Sequence, residues 1–102
     1  MPYGLTDSQI SGILEILKEN HKLQKVVLYG SRAKGNFSPG SDIDLALTGD
    51  SLDFNDIVDY KVKLDNFPVL NKIDLVIYNQ IKEPALIDHI NRIGKVIYER
   101  PQ

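Results

Sequence analysis

The chain has 102 residues, 42% of them hydrophobic, and its 12 basic and 14 acidic side chains leave a net charge of −2. That length suits one small globular domain over residues 1–102, and the near-balanced charge argues against broad electrostatic capture of nucleic acid, so no direct nucleic-acid binding is expected. With no cysteine there is neither a disulfide framework nor a thiolate metal site, and two histidines, His21 and His89, leave little for zinc; any metal would be held by oxygen.

In chain order, Thr6-Asp7-Ser8-Gln9 resembles a capping box, and Ile10, Ile13, Leu14 and Leu17 follow at helical spacing, which predicts an amphipathic helix to about Asn20. Val26 to Tyr29 is a β-branched and aromatic run ending at Gly30, and Asp42 to Thr48 alternates with Ile43, Leu45 and Leu47 inward; both are predicted strands. Between them, Ser31 to Lys34 can start a short helix and Ser38-Pro39-Gly40-Ser41 must turn. Phe54, Ile57, Val58 and Val62 predict a helix over 53–65, broken by Pro68, and Ile73 to Tyr78 predicts a third strand with Asp74 on the face opposite Ile73, Leu75 and Ile77. A last helix follows Glu83-Pro84 and stops at Gly94, with Lys95 to Tyr98 as an edge strand. The expected fold class is α/β (α+β): a small mixed β-sheet with helices packed on one face and the carboxylates on the other. No basic, apolar leader opens the chain, and no apolar run nears the roughly 18 residues of a membrane span, so a cytoplasmic protein without membrane contact is expected.

The chemistry is concentrated in GSRAKGNFSPGSDID, where ten residues separate Gly30-Ser31 from Asp42-Ile43-Asp44, and in Asp74. Ten of the residues are Asp, so about one Asp-x-Asp is expected by chance; requiring Gly-Ser at one fixed upstream offset lowers that to about one in a few hundred. In a strand, residues i and i+2 share a face about 6.5–7 Å apart, which lets Asp42 and Asp44 converge on one cation. If the Asp74 strand is a neighbour, three carboxylates meet on one side of the sheet and repel unless a cation compensates. Oxygen-only ligands with open positions suit Mg²⁺ or Mn²⁺, and Mg²⁺ completes its shell with water and substrate phosphate. Gly30 lets the backbone approach a phosphate, Ser31 offers a hydroxyl, and Arg32 and Lys34 add positive charge nearby.

Each piece also has a plainer reading. Gly30-Ser31 can be a strand-to-helix turn with an N-cap serine, Asp42 a turn residue, and Asp44 a solvent-facing strand residue. Asp74 resists that reading, because a carboxylate inside a short apolar strand is costly unless exposed or paired. Arg32 and Lys34 fit a solvated surface as well as a phosphate contact, and His21 and His89 are expected at the surface of helices. The segment is not a Walker loop, since Lys34 precedes its glycine and Asn36 follows it.

The pattern resembles the nucleotidyltransferase superfamily typified by DNA polymerase β, and specifically its minimal nucleotidyltransferase (MNT) branch. Gly-Ser, about ten residues, Asp-x-Asp and a later strand Asp are matched by Gly30, Ser31, Asp42, Asp44 and Asp74, and LYGSRAKGNFSPGSDIDLAL is close to the MNT form. The resemblance implies AMP transfer from ATP with two Mg²⁺ ions, Mn²⁺ being an alternative. Asp42, Asp44 and Asp74 would be the catalytic, metal-binding carboxylates, with Asp74 also a base for the acceptor hydroxyl. Gly30, Ser31, Arg32 and Ser41 would contact the nucleotide. Larger relatives carry further domains that bind the acceptor; here a separate protein is expected to supply it. MNT proteins of this size resemble the antitoxins of two-gene systems whose toxin is a HEPN ribonuclease, so the implied partner is a HEPN-domain toxin adenylylated on a tyrosine, in a hetero-oligomer. The alternative is a non-catalytic antitoxin that neutralises the same partner by forming a complex. Transfer to RNA or to a small molecule is a third reading.

Overall fold

The computed structural model of the chain describes residues 2–69 and 71–101. Its elements are α1 (Asp7–Leu17), β1 (Lys25–Tyr29), α2 (Gly30–Lys34), β2 (Ile43–Thr48), α3 (Phe54–Asp65), β3 (Ile73–Ile77), α4 (Pro84–Ile93) and β4 (Lys95–Glu99), with short 3₁₀ turns at Pro2–Gly4 and Tyr78–Gln80. The strands form one mixed sheet in the order β3-β2-β1-β4. β1 runs antiparallel to both β2 and β4, and β2 runs parallel to β3.

Local chemistry accounts for most boundaries. Thr6 accepts from the Gln9 N–H at 3.0 Å and the Gln9 side chain accepts from the Thr6 N–H at 2.8 Å, so the predicted capping box opens α1. The helix ends at Leu17, three residues before the expected Asn20, because Asn20 is recruited to a turn: its Oδ1 accepts from the Lys22 N–H and its Nδ2 donates to Asp56. Asp53 and Asp56 form a second capping box at the start of α3. β3 stops at Ile77, with Tyr78 in the following 3₁₀ turn, and β2 starts at Ile43, leaving Asp42 just outside the strand. Lys95–Glu99 is the expected edge strand.

Strand alternation divides the side chains between two layers. Val26, Leu28, Ile43, Leu45, Leu47, Leu75 and Ile77 face α1 and α3 and form the main core with Ile13, Leu17, Tyr60 and Leu64. The buried Tyr60 hydroxyl donates to the Leu17 carbonyl at 2.7 Å, fastening α3 to the end of α1. Val27, Tyr29 and Ala46 point the other way and pack with Ile90 of α4. The expectation of helices on one face therefore holds for α1 and α3, whereas α4 lies on the carboxylate side. The reason is that this face turns apolar beyond the carboxylate row, and Leu86 and Ile90 of α4 cover that part. Among the described residues no helix is long and apolar enough to cross a membrane.

Candidate active site

The sheet register brings the sequence motif together. Tyr29 of β1 pairs with Asp44 of β2, and Asp44 pairs with Asp74 of β3, so these three side chains form one row across three strands on one face. The residue after Tyr29 is Gly30, whose φ of +76° begins α2, and a Cβ added there would run into the Asp44 carboxylate. Only glycine lets the α2 backbone rest on Asp44 in this way. Ser31 follows, half-buried, in the first turn of α2.

Electrostatics records the crowding. The Asp44 carboxyl titrates above its ordinary value, through partial burial first, then through the negative charges of Asp74 and Asp42; His89 and Lys72 offset part of this. Burial, with the Asp44 and Asp74 charges added, pushes the Tyr29 phenol up to about 12. Two strand residues and the loop residue before them thus share one field. Even so, among the described residues no three His, Asp or Glu side chains are gathered closely enough to hold one ion. The expected three-way convergence is met by Asp44 and Asp74 as register partners, while Asp42 is exposed and lies outside the strand. No pleat fixes its side chain, and mutual repulsion disfavours closer approach.

Two residues expected at the nucleotide, Arg32 and Ser41, are engaged with the chain's own backbone. Arg32 is 2% exposed, and its guanidinium donates to three peptide carbonyls: Tyr3 at 2.8 Å, Pro39 at 3.4 Å, and Ser41 at 3.3 Å from Nε and 3.0 Å from Nη2. It also sits over the Phe37 ring, 5.3 Å from the centroid. Turned inward, the guanidinium ties α2 to the Tyr3 carbonyl and to the turn before Asp42. Ser41 is likewise occupied in the Ser38–Ser41 turn: its Oγ accepts from the Ser38 N–H at 2.9 Å and its N–H donates to the Ser38 carbonyl at 3.0 Å.

His89 was expected at the surface and is instead part of this site. Its Nε2 accepts from the Gly30 N–H at 3.1 Å and its ring meets Tyr29 edge-on at 6.1 Å between centroids. Nε2 as acceptor places the proton of the neutral ring on Nδ1. Nothing in the local sequence ties His89 to Gly30, 59 residues away; only the placement of α4 on the carboxylate face does. Asn71 was also missed, and its Nδ2 donates to the carbonyls of Pro39 at 2.7 Å and Ser41 at 3.1 Å.

Residues 11–102 match the sequence profile of the family described as "Polymerase beta, Nucleotidyltransferase". The chain belongs to that family. Among relatives of this nucleotidyltransferase, MJ0128 of Methanocaldococcus jannaschii, named as a candidate protein adenylyltransferase, is 37% identical over 79% of this chain and 87% of its own. The protein adenylyltransferase MntA of Aphanizomenon flos-aquae is 32% identical over 86% of this chain and 65% of its own length. Among solved structures, a toxin–antitoxin complex with AMP-PNP contains a chain that superposes with a TM-score of 0.73 at 28% identity, covering 89% of this chain and 73% of that one. A tri-AMPylated Shewanella oneidensis HEPN toxin in complex with MNT antitoxin contains one with a TM-score of 0.67 at 25% identity, covering 89% and 70%.

Proposed function

We propose that this nucleotidyltransferase is a protein adenylyltransferase and antitoxin that moves AMP from ATP to a tyrosine hydroxyl of a HEPN-domain partner. The observation that carries this reading is the Tyr29-Asp44-Asp74 row with Gly30 resting on Asp44, in a chain whose relatives include a protein adenylyltransferase. The donor chemistry of Asp42, Asp44 and Asp74 suits a hard divalent cation, which would draw the exposed Asp42 toward the other two. The donors are oxygen only, and Asp44 carries a raised pKa because its neighbours are negative, a repulsion that a cation would relieve. Asp42, Asp44 and Asp74 would hold Mg²⁺, which when bound draws charge from the phosphate oxygens.

The chain's own residues have separate tasks. Gly30 and Ser31 receive the β- and γ-phosphates, with the backbone approach that the missing Cβ permits. Asp74, on the outer of the two carboxylate strands, takes the proton from the acceptor hydroxyl. The acceptor oxygen then bonds to the α-phosphorus as the bond to the bridging oxygen breaks, and pyrophosphate leaves with that electron pair. Incubation with the HEPN partner, Mg²⁺ and ATP labelled at either the α or the γ position decides the reaction. Label should transfer from the α position alone; transfer from γ would mean kinase chemistry, and no transfer from α would sink the proposal.

A second reading, neutralisation by binding alone, is favoured by Phe54, Val58 and Val62, exposed at 74%, 42% and 60% at four-residue intervals along α3. An Asp44→Asn protein that transfers no AMP yet still neutralises the partner would support it.

A further inference from the structure

Asp42 presents a problem of position. It is the one carboxylate of the motif outside the sheet, and the segment before it, residues 36–42, contains no helix or strand. A ligand carried on such a segment loses entropy each time it is brought to a metal unless its backbone is already held.

The hold is provided one and three residues upstream. The carbonyls of Pro39 and Ser41 each accept from both Arg32 and Asn71: Pro39 at 3.4 Å and 2.7 Å, and Ser41 at 3.0 Å and 3.1 Å. These donors come from different parts of the motif. Arg32 is on α2, two residues after Gly30, and Asn71 lies three residues before Asp74. On the far side of Asp42, the Ile43 N–H donates to the Lys72 carbonyl at 2.8 Å. The backbone at Asp42 is thus fixed on both sides, to the segments that carry the glycine-serine pair and the third carboxylate.

The burial of Arg32 strengthens the case. A guanidinium at 2% exposure is costly to desolvate, and among the described residues it makes no salt bridge; its compensation is this set of peptide carbonyls and the Phe37 face. A surface turn alone does not require such an arrangement, since Ser38 and Ser41 already close it with their own hydrogen bonds.

We propose that Arg32 and Asn71 are positioning residues, a two-sided clamp on the Pro39 and Ser41 carbonyls that presents Asp42 to the divalent cation beside Asp44 and Asp74. The proposal rests on the reading of those carboxylates as metal ligands. In this role both act through the backbone that carries Asp42.

The test uses Asn71→Ala in the full chain, with Mn²⁺ as probe. Mn²⁺ affinity, measured by electron paramagnetic resonance without nucleotide, should fall by about 10–100-fold, the usual cost of removing a group that orients a metal ligand. Amides of residues 38–43 should exchange faster while those of α1 and α3 stay as in wild type, and AMP transfer should fall but recover as Mn²⁺ is raised. Arg32→Lys keeps the charge but replaces a three-carbonyl fork with one ammonium, and should show a larger loss in the same direction. Should that variant not fold, Asn71→Ala decides the matter. Mn²⁺ affinity within twofold of wild type in Asn71→Ala would overturn the clamp, as would a wild-type protein that binds no Mn²⁺. A wild-type protein that binds Mn²⁺ without transferring AMP, and loses affinity in Asn71→Ala, would refute the adenylyltransferase reading and leave the clamp standing.

Discussion

The Gly30 N–H donates to His89 Nε2 at 3.1 Å, joining the glycine of the motif to α4, the ten-residue helix on the carboxylate face. Replacing His89 with Ala leaves that N–H without a partner, which costs about 1–3 kcal/mol when the group stays buried. The melting temperature should fall by roughly 4–20 °C, and kcat/KM for AMP transfer by about tenfold as the glycine loses its fixed orientation. Calorimetry and steady-state kinetics check both, and a variant as stable and active as wild type would show that Gly30 holds its place without the imidazole.

Gly30 tolerates no side chain for two separate reasons. Its φ of +76° costs an L-residue about 1–2 kcal/mol, and a Cβ would displace the Asp44 carboxylate. Gly30→Ala should lose stability by that amount and lose activity by about 100-fold or more, since small misplacements of reacting groups are that costly. Retention of more than a tenth of the activity would mean that the carboxylate moves aside without consequence.

Asp44 governs a stability term with a definite sign. Its pKa is raised in the folded chain by burial and by Asp74 and Asp42, so its contribution is fully present below the ordinary value of 3.8 and is lost as pH rises through the higher folded value. At neutral pH without metal, Asp44→Asn should therefore melt higher than wild type, and the gap should shrink on acidification. Mg²⁺ with ATP should raise the melting temperature of wild type and leave the variant unchanged. Melting curves from acid to neutral pH in chelator, then with Mg²⁺ and ATP, test both, and a variant that melts at or below wild type at pH 7 contradicts the repulsion.

Asp56 has the opposite sign. Burial raises its pKa, but the Asp53 N–H, Lys22 and Asn20 together outweigh that and hold it below the ordinary range. Its contribution is present above 3.8 and disappears as pH falls through the lower folded value. Asp56→Ala removes one side of the α3 capping box and the tie to the α1–β1 turn, and should lower the melting temperature at neutral pH by about 5–10 °C. That deficit should narrow in acid, and activity per folded molecule should be unaffected because the residue lies on the α1–α3 side of the sheet.

The parts of the site written in strand alternation were legible in the sequence. Asp44 and Asp74 each lie between apolar neighbours at period two, and parity alone puts them opposite the core. The glycine-serine spacing was legible because a strand, a tight turn and a helix start leave few alternatives. The burial of Arg32 was hidden because a charged side chain in a short polar helix is ordinarily solvated, and nothing local announces that three carbonyls converge on it. His89 and Asn71 act across 59 and 30 residues of chain, and only packing reveals such partners. The position of α4 was hidden for a similar reason: its apolar stripe says that one face is buried, not which side of the sheet buries it.

The order β3-β2-β1-β4 gives the carboxylate row a direction. Tyr29 is on β1 and lies beneath α4, Asp44 comes next on β2, and Asp74 is on β3, an edge strand among the described residues. The row runs from a covered end to an open rim. Asp74, partly exposed on the edge strand, is the carboxylate of the row that an acceptor on a separate surface would meet first. Discrimination among acceptors must then come from how another surface seats along that rim, rather than from the shape of an enclosing cavity.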